Sequence, residues 1–388
     1  MGRQKMGWRR VKFGEVVRLG KERCTDPVAD GIERYVGLEH IEPGDLRVRS
    51  WGAVSNGTTF TTRIRPGQVL FGKRRAYQRK VAVADFDGVC SGDIYVFESA
   101  DPQRLLPALL PFICQTNAFF DHAVGTSAGS LSPRTNWTSL AEYEFALPPM
   151  DDQQRICVAL QAAHTSAESS RALAGAAHML FSATLASAYP GDRPTRALSQ
   201  FCGETISRGI DQAGPNIPGG VPYIRVSDLT KGESIPVDGM LRTSPEIARR
   251  FASATVKTGE IVVALRGALG LPRIVPPELD GANLTQGTVR VSVREELSRD
   301  YVYFGLQSPT VKRTFRRYAN GWKGESLREI TLEAIREIPF PWAEPHDQRR
   351  IAEVAREAAD AEGLAQSRFL ETLALAHALN ESITRGGV

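Results

Sequence analysis

Apolar and polar positions along the chain follow one order twice. A short apolar strand with a polar turn at Tyr35-Val36-Gly37-Leu38-Glu39-His40-Ile41-Glu42-Pro43-Gly44-Asp45 is matched by Tyr223-Ile224-Arg225-Val226-Ser227-Asp228-Leu229-Thr230-Lys231-Gly232-Glu233. A glycine-led turn, a buried strand and a basic tip follow at Gly67-Gln68-Val69-Leu70-Phe71 with Lys73-Arg74-Arg75. They recur at Gly259-Glu260-Ile261-Val262-Val263 with Leu265-Arg266-Gly267. The strands Asp93-Ile94-Tyr95-Val96-Phe97 and Gly287-Thr288-Val289-Arg290-Val291 come next, each after an Asp-Gly turn. Matched residues lie roughly 190 apart throughout, which predicts one long duplication and not a chance likeness of turns.

Each copy ends in a proline-rich hinge, an acidic residue and a helix. Phe145-Ala146-Leu147-Pro148-Pro149-Met150-Asp151-Asp152-Gln153-Gln154-Arg155-Ile156 parallels Ile338-Pro339-Phe340-Pro341-Trp342 and, after a short insertion, Asp347-Gln348-Arg349-Arg350-Ile351. Proline fixes the entry, and Asp152 or Asp347 is placed to cap free amides at the positive helix end. The pattern divides the chain into a globular unit over 1–149, a helix over 150–188, a second unit over 189–344 and a last helix over 345–388. At 1.5 Å per residue each helix reaches roughly 55 Å, a length that calls for a partner. Ile156, Leu160, Ala163, Ala167, Leu173, Ala177, Leu180 and Leu185 offer one apolar seam. Ile351, Val354, Ala358, Ala361, Leu364, Phe369, Leu373 and Leu379 offer the other. Small residues are frequent in both, so the helices are expected to pair; core-facing helices within each unit are the plainer alternative.

Length and composition agree with more than one core: 388 residues, 42% hydrophobic and 24% charged, describe a globular chain too long for one small domain. The basic start MGRQKMGWRRVKF leads into no apolar segment, so no secretory signal is expected and the cytoplasm is the default compartment. The uncharged run 172–191 is rich in Ala, Ser and Thr and stops at Tyr189-Pro190-Gly191, which favours a protein-packed helix over a membrane span. Five scattered cysteines without CxxC spacing read as reduced and buried. Six dispersed histidines give no zinc pattern, and no metal or other cofactor is expected. The net charge of +4 is unevenly spread: residues 1–149 hold 20 Lys/Arg against 16 Asp/Glu, residues 188–344 hold 21 against 18, and the helical segments are acidic. Two basic units joined by acidic helices form a mild footprint for a polyanion.

The module, a mixed globular domain closed by a Pro-Pro hinge and a (D/E)Q-x-x-I helix, resembles the specificity subunits of type I restriction-modification systems. Leu147 to Ile156 carries the likeness most clearly. The opening Trp8-Arg9-Arg10-Val11-Lys12-Phe13-Gly14-Glu15-Val16 and the segment Gly259 to Gly267 support it. The resemblance implies an α+β fold: two similar mixed α/β target-recognition domains separated by two long helices that pair as a coiled-coil spacer. It also implies that each domain reads one part of a bipartite site in double-stranded DNA. Methyltransferase subunits and restriction/translocase subunits are the implied partners, and no membrane is involved. The second junction departs from the pattern, because Trp342 stands for the second proline and Ala343-Glu344-Pro345-His346 lengthens the hinge, leaving helix register there open.

A DNA reader needs cations for phosphates and planar hydrogen-bonding groups for base edges. Lys73, Arg74, Arg75, Arg79 and Lys80 surround Tyr77 and Gln78 after a short strand, and this loop is the first candidate for facing DNA; a solvated charged turn is its plain alternative. In the second unit Arg266 takes the matching position. Arg313, Arg316 and Arg317 share one face at helical spacing, with Lys323 beside Trp322. An exposed amphipathic helix with Phe315 and Tyr318 in the core is the alternative there. Arg47, Arg49 and Trp51 form a third, weaker group.

Catalytic signatures are missing. The Pro-Pro pairs follow Leu147 and Val275 in place of the Asp or Asn of adenine methyltransferases, no Glu-x-Lys occurs, and Gly20-Lys21 and Gly72-Lys73 lack the rest of a phosphate loop. The expectation is therefore a recognition subunit without chemistry of its own. A recognition subunit of another methylation-based phage-defence system, or a coiled-coil scaffold that binds no DNA, are the rival readings.

Overall fold

The computed structural model describes residues 7–319 and 329–384. The chain divides into two compact units, one of residues up to 171 together with those from 368 onward, the other of residues 172–367. Each unit mixes short strands with helices, and they repeat one plan sheet by sheet.

In the first unit Arg9–Lys12 pairs antiparallel with Glu144–Leu147, tying the start of the fold to the hinge. Val69–Gly72 lies between antiparallel neighbours Ile94–Ser99 and Val81–Val83, and Arg34–Val36 runs parallel to Gly88–Cys90. The second unit repeats each relation. Thr195–Ala197 pairs with Pro339–Pro341, Ile261–Ala264 lies between Pro272–Ile274 and Thr288–Val291, and Val221–Ile224 runs parallel to Asn283–Leu284. Even the turn after the parallel strand is kept: the His40 imidazole accepts from the Gly37 amide at 2.9 Å, and the Asp228 carboxylate accepts from the Arg225 amide at 3.0 Å. Strands such as Val69–Gly72 and Ile261–Ala264 are buried along their whole length, as continuous apolar runs in a central position must be. Phe13, Phe71, Phe97 and Phe119 fill the core of the first unit; Phe201, Tyr301, Phe315 and Phe340 fill that of the second.

The hinge motif acts through glutamine more than through aspartate. Gln153 is buried, donates to the carbonyls of Arg104 and Pro148 at 2.8 and 2.9 Å, and accepts from the Leu106 amide at 2.8 Å. Gln348 is buried in the same way, donating to Ala343 at 2.8 Å and accepting from Ser298 at 3.1 Å. Each glutamine pins the helix start to its unit by satisfying backbone groups that burial would leave orphaned. Asp152 and Asp347 pair with Arg155 and Arg350 one turn on, and among the described residues neither aspartate accepts a backbone amide at the helix start. The lengthened second hinge keeps this register. Trp342 donates its amide to Pro194 at 2.7 Å and lies under the Arg196 guanidinium, 3.4 Å from the ring centre.

The long helices span Met150–Ala188 and Pro345–Thr384. In the first unit Leu160 of the former and Leu379 of the latter pack on one core. In the second, Leu185 packs with Ala352 and Ala355, and His178 meets Glu362 at 2.6 Å. The buried stripe differs from the expected seam beyond residue 170. Leu160, Ala167 and Ala174 are buried at seven-residue intervals, whereas Leu173, Leu180, Val354 and Leu364 are exposed. Large side chains suggested the wrong face, because alanine lets paired helices approach closely while the neighbouring positions are apolar as well. Among the described residues no helix is long and apolar enough to cross a membrane. All five cysteines are free and buried, and burial pushes the Cys90 and Cys202 thiols up to about 12.

Candidate nucleic-acid interface

The Lys73–Lys80 loop leaves the central strand Val69–Gly72 and folds into a single tight turn over Ala76–Gln78, flanked by Arg75 and Arg79. Both arginines adopt left-handed backbone with φ of 55° and 56°, the two such non-glycine residues among those described. Left-handed backbone costs a β-carbon-bearing residue energy, so the surrounding bonds must hold the turn. Arg75 donates its amide to Pro133 at 2.7 Å, and Lys73 accepts on its carbonyl from Thr135 at 3.0 Å.

Most of the cations here are already engaged. Arg74 reaches Asp93 at 3.3 Å and Ser132 at 3.2 Å, and Arg134 bonds the same Asp93 at 3.0 Å. Arg75 also donates to Ser132, at 3.3 Å. Arg79 donates to the Gln115 carbonyl at 3.3 Å and lies 4.4 Å from the centre of the Phe120 ring. Lys80 donates to the Leu38 carbonyl at 2.7 Å, and Lys73 sits 4.5 Å from the Tyr95 ring centre. Burial holds the Lys73 ammonium below its ordinary range, with Asp93 opposing. Gln78 is half-buried, and Tyr77, at 55% exposure, is the loop's exposed side chain.

The weaker group is committed more fully. Arg49 bonds Asp45 at 2.5 Å and Glu168 at 2.6 Å, Arg47 bonds Glu168 at 2.8 Å, and Arg171 bonds Asp45 at 2.7 Å. Burial pushes the Asp45 carboxyl up, but hydrogen bonds from Arg49 and the Arg47 amide, with the charges of Arg49 and Arg171, outweigh it and leave the pKa below the usual carboxylate value. Trp51, 44% exposed, stacks under the Arg34 guanidinium at 4.3 Å, beside Phe86.

In the second unit Arg266 repeats the backbone position of Arg74: Arg266 bridges Glu329 where Arg74 bridges Arg134. Gly287 leaves it room, since a β-carbon there would come 2.8 Å from the guanidinium Nε. The helix Pro309–Tyr318 starts with Ser308 accepting from the Val311 amide at 3.3 Å, followed by proline at the first position. Val311 and Phe315 are buried, one turn apart. Lys312, Arg313, Arg316 and Arg317 are exposed on the opposite side. Among the described residues no carboxylate pairs with Arg313, Arg316 or Arg317; Arg313 donates only to Thr310, at 3.3 Å. Lys323 and Trp322 lie outside the described residues.

The structure thus gathers Lys73, Arg74, Arg75, Tyr77, Gln78, Arg79 and Lys80 in one folded loop, and Arg313, Arg316 and Arg317 on one helix face. Sequence reasoning missed Arg134, which joins Arg74 on Asp93, and Arg34, which joins Trp51. Neither has a local signal; only the repeat, which sets residue 134 against residue 329, hints at the first.

No family model matches the chain. It is similar to two curated proteins of Escherichia coli, the type I restriction enzyme EcoDI specificity subunit (28% identity over 159 residues, 38% of this chain and 33% of that protein) and the EcoBI specificity subunit (24% over 128 residues, 33% and 25%). These matches span a third or less of the relatives' length. By fold the chain resembles a solved chain described under complex assembly and conformational transition of the type I R-M system, with a TM-score of 0.61 at 19% identity over the whole of both chains. It also resembles the type I restriction-modification S subunit from M. genitalium, with a TM-score of 0.62 at 13% identity over 99% of this chain and 98% of that one.

Proposed function

We propose, from the resemblance to type I restriction-modification specificity subunits in sequence and in fold, that this chain is the sequence-reading subunit of such a system. Each unit reads one part of a bipartite duplex target, and chemistry is left to partner subunits. The observation that carries this reading is the duplicated fold with cationic side chains at its surface in both copies: the Lys73–Lys80 loop in one, the helix Pro309–Tyr318 in the other. Free guanidinium groups supply phosphate contacts and affinity. Groups locked in place beside an exposed planar side chain, such as Arg74 and Arg75 beside Tyr77 and Gln78, suit base edges, where geometry decides.

Methyltransferase subunits would dock on the long helices, whose exposed Leu173, Met179, Leu180 and Leu364 leave apolar surface uncovered. Restriction/translocase subunits would join the assembly formed in this way. The test is fluorescence anisotropy of the full chain on duplex DNA over a salt series, with methylome sequencing after co-expression with the cognate methyltransferase. Steep loss of affinity with salt and a split methylated motif are expected. Absence of binding at low salt would favour a scaffold.

A further inference from the structure

Leu131 is 91% exposed, more than any other large apolar side chain among the described residues. A lone leucine in water means little by itself, since folded surfaces carry many apolar atoms. The backbone that carries it is another matter. Ala128 donates its amide to Arg134 at 3.0 Å and Arg134 donates its own to Ala128 at 2.9 Å, so the segment between them closes into a small loop. Gly129 bends that loop with a φ of 109°, where a side chain would be strained.

The loop is braced against the Lys73–Lys80 turn. Arg75 donates its amide to Pro133 at 2.7 Å, Thr135 donates to Lys73 at 3.0 Å, and the Ser132 hydroxyl accepts from Arg74 and Arg75 at 3.2 and 3.3 Å. Arg74 and Arg134 share Asp93, at 3.3 and 3.0 Å, with guanidinium groups that stay 39% and 55% exposed. Among the described residues Asp93 is the one carboxylate paired with Arg74, Arg75 or Arg134, so positive charge is left over beside the leucine-bearing loop. An apolar tip set among surplus cations matches a base edge framed by phosphates.

Base edges in both grooves present hydrogen-bonding groups, and thymine adds an apolar one, its 5-methyl, in the major groove. A leucine side chain neither donates nor accepts, so the methyl is the feature it can read. We propose that Leu131 is a specificity-determining residue of the first unit, packing on the 5-methyl group of one thymine in the target. Resting on the DNA-reading role proposed above, this contact adds a base chemistry that the arginines of the same surface do not supply. The bracing serves it, because a leucine on a fixed backbone has less freedom to lose on binding.

The test uses the full chain and synthetic duplexes carrying the motif found by methylome sequencing, with each thymine replaced in turn by deoxyuridine, which lacks only the methyl. One replacement should weaken binding by the parent about fourfold, the worth of one buried methyl. Leu131→Ala should bind the all-thymine duplex at least about fourfold more weakly and should discriminate thymine from uracil at that position by less than about twofold. Leu131→Met should keep most of the discrimination. Melting temperature and salt slope should hold in both variants, because the side chain is exposed and uncharged. A motif with no sensitive thymine, or the same uracil penalty in Leu131→Ala as in the parent, would overturn the thymine contact and leave DNA reading standing. Absence of duplex binding at low salt would overturn both.

Discussion

The two units share a scaffold and differ in how they hold their cations. In the first, arginines are dense in sequence, yet Arg74, Arg79, Arg47 and Arg49 are all bonded to groups of the same unit. In the second, the local charge around Arg266 is thinner, but Arg313, Arg316 and Arg317 stand on a helix face with no carboxylate bound to them among the described residues. Clusters of positive charge in a sequence thus do not measure positive charge offered to a ligand. A bonded guanidinium contributes little net charge but a fixed orientation, whereas a free one contributes charge without orientation. Under the proposed function, the first unit would serve discrimination and the second grip.

The largest expected effect follows from the free cations. Replacing Arg313, Arg316 and Arg317 together by Gln should flatten the log–log salt dependence of DNA binding by about three units and weaken binding on the order of a hundredfold near 0.1 M salt. Melting temperature should hold, since none of the three packs in the core. Anisotropy over a salt series reads this directly. An unchanged slope would mean that this face meets solvent, and the contrast between the units would lose its stronger half.

The bonded cations of the first unit should answer to stability instead. Asp45 is buried under Arg49 and Arg171, and Asp45→Ala should cost about 2 kcal/mol in denaturant unfolding by leaving Arg171 without its carboxylate and Arg49 with Glu168 alone. The folded carboxyl titrates below its ordinary value, so its stabilisation is complete above the unfolded pKa near 3.9 and fades as pH falls through the folded one. Melts of the parent should be level from about pH 7 to 5 and decline below about 4, with a shallower decline in Asp45→Asn. The parallel experiment on Arg313→Gln should show no such pH difference. A decline equal in the parent and in Asp45→Asn would assign acid sensitivity to other carboxylates.

What was legible in the sequence was the plan. Paired strand–turn patterns at constant separation announced the duplication, since strand period and turn chemistry are local properties. The α+β class of two similar mixed domains with long helices stands in the structure and in its solved neighbours. The helix face was harder, because Leu173 and Ala174 both sit in an apolar stretch and only packing selects the alanine. Hardest were the partners of the cations. Asp93, Ser132, Gln115 and Leu38 are brought to the Lys73–Lys80 loop by tertiary structure alone, and no spacing rule links them. Gln153 and Gln348 were visible as a repeated motif, but their role as buried anchors needed the backbone groups they satisfy.

Asp93 sharpens the comparison further, because one carboxylate orients both Arg74 and Arg134. Its removal as Asp93→Ala should destabilise the chain by only about 1 kcal/mol, the bonds being partly solvated. Its effect on DNA should be of another kind. Freed arginines keep their charge, so the salt slope should stay the same or steepen, while the preference of the first unit for its part of the target relaxes. Competition with single-base variants of the target, read by anisotropy, separates the two outcomes; a flatter slope with intact preference would make Arg74 and Arg134 plain phosphate contacts.

The smallest effect belongs to Tyr77, whose ring is exposed at the tip of a turn held by two left-handed arginines. A planar side chain presented on so constrained a backbone is positioned for an apolar or stacking contact, which is insensitive to salt. Tyr77→Ala should therefore weaken binding by about 1 kcal/mol, roughly fivefold, with the slope unchanged, and Tyr77→Phe should recover most of the loss. Such a result would tie the exposed tip of the first unit to a contact other than charge. Full affinity in Tyr77→Ala would instead move discrimination to Arg75 and Gln78 in the same loop, or to the stacked pair of Arg34 and Trp51.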